Sequence, residues 1–78
     1  MKIEILGTGC AKCKALEEVV KQATAKIGGF HSVEKVEDIM KIMEYGVVST
    51  PGLVVDGKVV STGKLLSVNE VIDILKGL

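Results

Sequence analysis

Apolar residues recur along this chain at two spacings, and the changes from one to the other divide it into seven elements. Lys2 to Leu6 starts with polar–apolar alternation, Ile3 and Ile5 falling on one side, and predicts a first strand. Gly7-Thr8-Gly9 follows as a loop whose glycines permit unusual backbone angles. From Ala11 the apolar positions are Ala11, Ala15, Leu16, Val19, Val20, Ala23 and Ile27, the three-and-four spacing of one helical face. Gly28-Gly29 ends that helix. Phe30 to Val36, with Val33 and Val36 apolar, predicts a second strand. Asp38 is placed as an N-cap. Ile39, Ile42 and Met43 then make a short helical stripe reaching Tyr45, which Gly46 stops.

The second half returns to the strand period. Pro51, the single proline, stands directly before the apolar run Gly52-Leu53-Val54-Val55, and proline suits the first residue of a strand rather than its middle. Asp56-Gly57 is a strong hairpin signal, with Lys58-Val59-Val60-Ser61 as the return strand. Thr62-Gly63 is a turn. Ser67 and Glu70 have the spacing of a capping box, and Val68, Val71, Ile72 and Leu75 form the face of a last helix that stops near Gly77. The order is β-α-β-α-β-β-α. Its opening β-α-β favours a parallel strand pair, and the late hairpin adds antiparallel strands. An α/β fold with a four-stranded mixed sheet and helices on both faces buries all three apolar stripes. No repeat or linker interrupts residues 1–78, so a single domain is expected.

Composition narrows the function classes. Lysine plus arginine and aspartate plus glutamate both number 10, which gives no net charge to attract nucleic acid or an anionic membrane surface. One Phe, one Tyr and no Trp leave no platform for stacking bases. No apolar run approaches the roughly 18 residues of a membrane span, and the N-terminal residues lack a leader pattern. The expectation is a cytoplasmic monomer without nucleic-acid or membrane partners.

The chemistry concentrates in Cys10-Ala11-Lys12-Cys13, where the first strand gives way to the first helix. N–H groups of a first helical turn lack helical partners, and the helix dipole adds partial positive charge there. Both favour thiolate over thiol, and the thiolate is the nucleophile. Cys10, at or near the N-cap, is expected to be the activated cysteine. Cys13 lies close to one helical turn on, so its sulfur can return to Cys10. A disulfide across so few residues closes too short a loop to staple the fold, and the cysteine spacing in a small cytoplasmic chain points to redox or metal chemistry. Lys12 and Lys14 are read either as cations that further favour the thiolate or as ordinary surface residues.

With C-x-x-C at the first β-α junction and Thr50-Pro51 before the third strand, the chain resembles the thioredoxin/glutaredoxin superfamily over essentially its whole length. Within it, the chain is similar to small single-domain thioredoxin-like proteins whose active-site region reads Gly-Thr-Gly-Cys-x-x-Cys, as Gly7 to Cys13 does here. The resemblance implies a thioredoxin-like fold and a thiol–disulfide oxidoreductase that reduces protein disulfides through a reversible Cys10–Cys13 disulfide. Cys10 would attack and Cys13 would resolve. Pro51 would match the family's cis-proline, and Thr50 would offer backbone hydrogen bonds to a bound substrate. No cofactor is implied. The partners would be disulfide-containing proteins, with an external reductase or low-molecular-weight thiol to restore the dithiol. The chain differs from typical thioredoxins in having Gly9, not an aromatic residue, before the first cysteine, and Ala11-Lys12 between the pair. Thr62-Gly63 stands about where glutaredoxins have a glutathione-binding Gly-Gly.

A second reading uses the same two cysteines as a soft-metal chaperone, since two thiolates suit Cu(I). Small heavy-metal-associated domains place C-x-x-C in a similar loop. Their motif has a Met where this chain has Thr8, and their order is β-α-β-β-α-β. The remaining candidates read as structural: His31 as a solvated residue at a strand edge, Met40 and Met43 as core filler, and Tyr45 as packing at a helix end.

Overall fold

The computed structural model describes residues 1–77. Its elements are β1 (Lys2–Leu6), α1 (Ala11–Ile27), β2 (Ser32–Val36), α2 (Ile39–Glu44), β3 (Gly52–Val55), β4 (Lys58–Thr62) and α3 (Val68–Lys76). They form one four-stranded sheet in the order β2-β1-β3-β4. β1 and β2 are parallel, and β1–β3 and β3–β4 are antiparallel. This is the mixed α/β sheet expected of a thioredoxin-like fold.

The two central strands are the two most continuously apolar ones. Ile3, Ile5 and Leu6 in β1 and Leu53, Val54 and Val55 in β3 are all buried. The edge strands are less covered: Val33 and Val36 of β2 and Val59, Val60 and Ser61 of β4 are half-buried, and the rest are exposed. Side chains leave alternate faces of a strand. Ile3, Ile5, Leu53 and Val55 therefore meet α1 and α3, through Leu16, Val20, Ala23, Val71 and Leu75. Leu6 and Val54 emerge on the opposite face and meet Ile42 and Val47 around α2.

Local chemistry sets the boundaries. Asp56 and Gly57 turn the β3–β4 hairpin with φ of 49° and 83°, as a two-residue I′-type turn requires. β4 then has one extra residue opposite the Leu53–Val54 step. Ser67 accepts from the Glu70 amide while the Glu70 carboxylate accepts from the Ser67 amide, completing a capping box at α3. The Ser67 donor also holds the Glu70 carboxyl below its usual range.

Three expectations need correction. The second strand starts at Ser32, not Phe30, and the Phe30 ring is 95% exposed. The α2 stripe is narrower than its spacing suggested, because only Ile42 is buried. Ile39, Met40 and Met43 face solvent, so the two methionines are not core filler. A helix of six residues has under two turns, and only one position of this one reaches the sheet. His31 is half-buried rather than solvated. Its Nε2 donates to the Gly28 carbonyl at 2.7 Å, while Nδ1 is buried without a partner.

Candidate active site

Sheet register brings the sequence-distant candidates together. Leu6 pairs with Gly52, so the residue leaving β1, Gly7, lies beside the residue entering β3, Pro51. At the same end Gly52 pairs with Thr62 and Leu6 with Val36. Two hydrogen bonds tie these strand ends. The Gly7 amide donates to the Val36 carbonyl at 2.9 Å, and the Gly63 amide donates to the Pro51 carbonyl at 2.8 Å. The Thr50–Pro51 peptide bond is cis. Pro51 is buried and Thr50 is exposed.

Cys10 is the N-cap of α1. Its carbonyl accepts the first helical bond, from the Lys14 amide at 3.1 Å, and its sulfur accepts from the Cys13 amide at 3.3 Å. The sulfur thus occupies the place where capping residues normally put an oxygen. The two cysteines, one turn apart, have opposite surroundings. Cys10 is exposed and Cys13 is 4% exposed; both are free thiols. A hydrogen bond from the Cys13 thiol, followed by the Cys13 amide, lowers the Cys10 pKa from its ordinary value. Burial raises that of Cys13, and its hydrogen bond to Cys10 adds to the effect. Lys12 assists Cys10 through its backbone amide. The leading causes are therefore hydrogen bonds, not the lysine ammonium groups considered from sequence.

The Gly-Thr-Gly loop divides its work unequally. Gly9 has φ of 84°, which favours glycine. Gly7 has no such angle; what it supplies is space. A β-carbon built on Gly7 would overlap the Cys13 sulfur, approach the Cys13 β-carbon to 3.2 Å and lie 3.7 Å from the Thr50 β-carbon. Gly7 is therefore the floor on which the helix start and the Thr50–Pro51 loop meet. Gly63 is also close to that loop, since a β-carbon there would stand 3.1 Å from Ser49. Sequence reasoning took Gly7 for loop flexibility and Gly63 for a turn. Nothing in a sequence distinguishes a glycine needed for space from one needed for its backbone angles.

A family model described as Thioredoxin domain matches residues 1–76. The chain belongs to the thioredoxin family. It is 40% identical to a thioredoxin of Methanothermobacter thermautotrophicus over 75 residues, 96% of this chain and 97% of that one. It is 42% identical to a thioredoxin of Methanocaldococcus jannaschii over 74 residues, 95% of this chain and 85% of that one. Thiol–disulfide oxidoreductase chemistry is thereby the family's function, and the C-x-x-C at Cys10 and Cys13 is in keeping with it.

Two further features lie apart from the cysteines. Lys2, Glu4, Lys41, Glu44 and Tyr45 line a surface hollow of about 380 Å³ that contains none of Cys10, Cys13, Thr50 or Pro51. At its wall the Tyr45 hydroxyl donates to Glu4 at 2.8 Å, which raises the Tyr45 pKa. Among the described residues no group of three or more His, Cys, Asp or Glu side chains is placed to hold a metal ion, and no helix is long and apolar enough to cross a membrane.

Proposed function

We propose that this chain reduces disulfides in partner proteins, with Cys10 as the attacking cysteine and Cys13 as the resolving one. The observation behind this assignment is the contrast within the pair: an exposed sulfur receiving hydrogen bonds, next to a buried thiol. The Cys10 thiolate attacks one sulfur of the substrate disulfide. That S–S bond breaks, a Cys10–substrate disulfide forms, and the departing substrate thiolate takes a proton from solvent. Cys13 then loses its proton, and its thiolate attacks the Cys10 sulfur. The second substrate thiolate leaves, and the Cys10–Cys13 disulfide remains. Two electrons have passed to the substrate. An external dithiol protein or low-molecular-weight thiol returns them.

In this reading the backbone of Thr50, an exposed residue before the cis bond to Pro51, hydrogen-bonds a substrate segment lying across Cys10. The reading takes residues 1–78 as one domain acting as a cytoplasmic monomer, without cofactor, nucleic acid or membrane. The Cu(I)-chaperone alternative has no support: a helix lies between β2 and β3 and the last described element is a helix, unlike the heavy-metal-associated order.

Equilibration of the purified protein in defined dithiol buffers, read by thiol alkylation and intact mass, tests the proposal. The expected result is one reversible two-electron transition between about −300 and −120 mV. Absence of a reversible intramolecular disulfide would overturn it.

A further inference from the structure

In the disulfide-exchange reading Cys13 acts only after Cys10 has engaged a substrate, and in the structure it is covered. The cover has a specific origin. Cys13 lies on the first turn of α1, where side chains are ordinarily wet, and its neighbours Lys12 and Lys14 are exposed. Cys13 is nevertheless buried, against the backbone of Gly7. Gly7 is itself buried and held by its hydrogen bond to Val36 at the end of the sheet. Its missing side chain points between the Cys13 sulfur and the Thr50 β-carbon. The missing atom thus makes room for the helix start, whereas the loop before β3 would meet a β-carbon there only in ordinary contact.

Resting on the proposed roles of the two cysteines, we propose that Gly7 is a positioning residue: its bare Cα is the seat of the Cys13 sulfur, and it keeps the resolving cysteine out of solvent and beside Cys10. Because Gly7 has no positive φ, alanine there carries no backbone penalty. Its effect comes through contact alone. The nearest obstacle, the Cys13 sulfur, yields by rotating about its Cα–Cβ bond, and the Cys13 β-carbon at 3.2 Å needs only a small shift of the helix start, whereas the backbone around Gly7 is held by the sheet. A β-carbon at Gly7 therefore turns the sulfur off its seat toward water.

Initial rates of iodoacetamide labelling of the fully reduced protein, resolved to each cysteine by peptide mass, read this directly. In the parent protein Cys10 is expected to label at least about tenfold faster than Cys13. Gly7→Ala is expected to raise the Cys13 rate by about tenfold. Gly28→Ala is the control for general loss of stability: it places alanine at φ of 71° in open space at the other end of α1 and should leave the ratio unchanged. An unchanged Cys13 rate in Gly7→Ala, or an equal rise in Gly28→Ala, overturns the proposal.

If Gly7→Ala fails to fold, a second arm decides. In a Cys13→Ala background the sulfur is gone, so Gly7→Ala should lower the folding constant much less than it does beside Cys13. Equal losses in both backgrounds would show that Gly7 acts on something other than the sulfur. Labelling does not depend on turnover, so an absent redox transition in the parent would refute the oxidoreductase reading and leave the seat of Cys13 separately decided.

Discussion

The two faces of the sheet are built to different standards. On the α1–α3 face, ten buried residues form one core, drawn from β1, β3, two helices and Leu66. On the α2 face the buried apolar cluster among the described residues is Leu6, Ile42, Val47 and Val54, and the short helix covering them leaves Ile39, Met40 and Met43 in solvent. The site takes one half from each. Cys10 and Cys13 belong to the helix seated on the larger core, whereas Thr50 and Pro51 belong to the connection between α2 and β3. The cysteine pair is thus carried by the helix on the best-packed part of the molecule. The connection carrying Thr50 is anchored by buried Val47 and by the Gly63–Pro51 hydrogen bond, and between them passes through Val48, which is 98% exposed.

The comparison breaks most sharply at the cysteines. Cys10→Ser should abolish disulfide reduction, a loss of more than about a hundredfold, because a hydroxyl is not ionised near neutral pH. Cys13→Ser should accumulate a mixed disulfide visible by intact mass. Full activity of Cys10→Ser in an insulin-disulfide assay would reverse the roles assigned here. Next come the two cores. Leu16→Ala, fully buried on the α1–α3 face, should cost about 3–4 kcal/mol by denaturant unfolding. Ile42→Ala, 6% exposed over the smaller cluster, should cost about 2 kcal/mol, since more of its cavity opens toward water. Equal losses would show the two faces to be energetically alike.

The pH dependence of labelling sharpens the contrast inside the site. The Cys10 pKa is lowered, so its thiolate persists below the ordinary thiol range and its labelling should stay fast as pH falls. Cys13, raised by burial, should label only at higher pH. Coincident profiles would contradict the asymmetry. The smallest effects are at the helix caps. Asp38→Ala removes the acceptor for the Met40 amide and should cost about 0.5 kcal/mol, and Ser67→Ala removes half of a capping box and should cost about 1 kcal/mol. The α2 cap should matter less to unfolding than the α3 cap if α2 is the less integrated helix.

Much of this molecule is legible in its sequence because the signals concerned are local. Strand and helix periods, Asp56-Gly57, the Ser67–Glu70 box and Asp38 each act over a few neighbouring residues, and apart from the start of β2 and the width of the α2 stripe each is found where expected. The position of Cys10-Ala11-Lys12-Cys13 at a strand-to-helix junction is equally local, and with it the N-cap role of Cys10. Where the reading failed, the missing information was what covers a face. Met43 continues an apolar stripe, but spacing does not say that so short a helix meets the sheet at one position. His31 looks solvated until its ring folds back on Gly28.

Tertiary structure alone decided three things. Sheet register placed Gly7, Val36, Pro51 and Gly63 at one end, because Leu6 pairs with both Gly52 and Val36. Packing made two cysteines of one motif into an exposed sulfur and a buried one. It also gave Gly7 a purpose that its position in a glycine-rich loop conceals. The physical reason is common to all three: caps, turns and periodicity are written in adjacent residues, whereas strand pairing and burial depend on which distant segment arrives to bond and to exclude water.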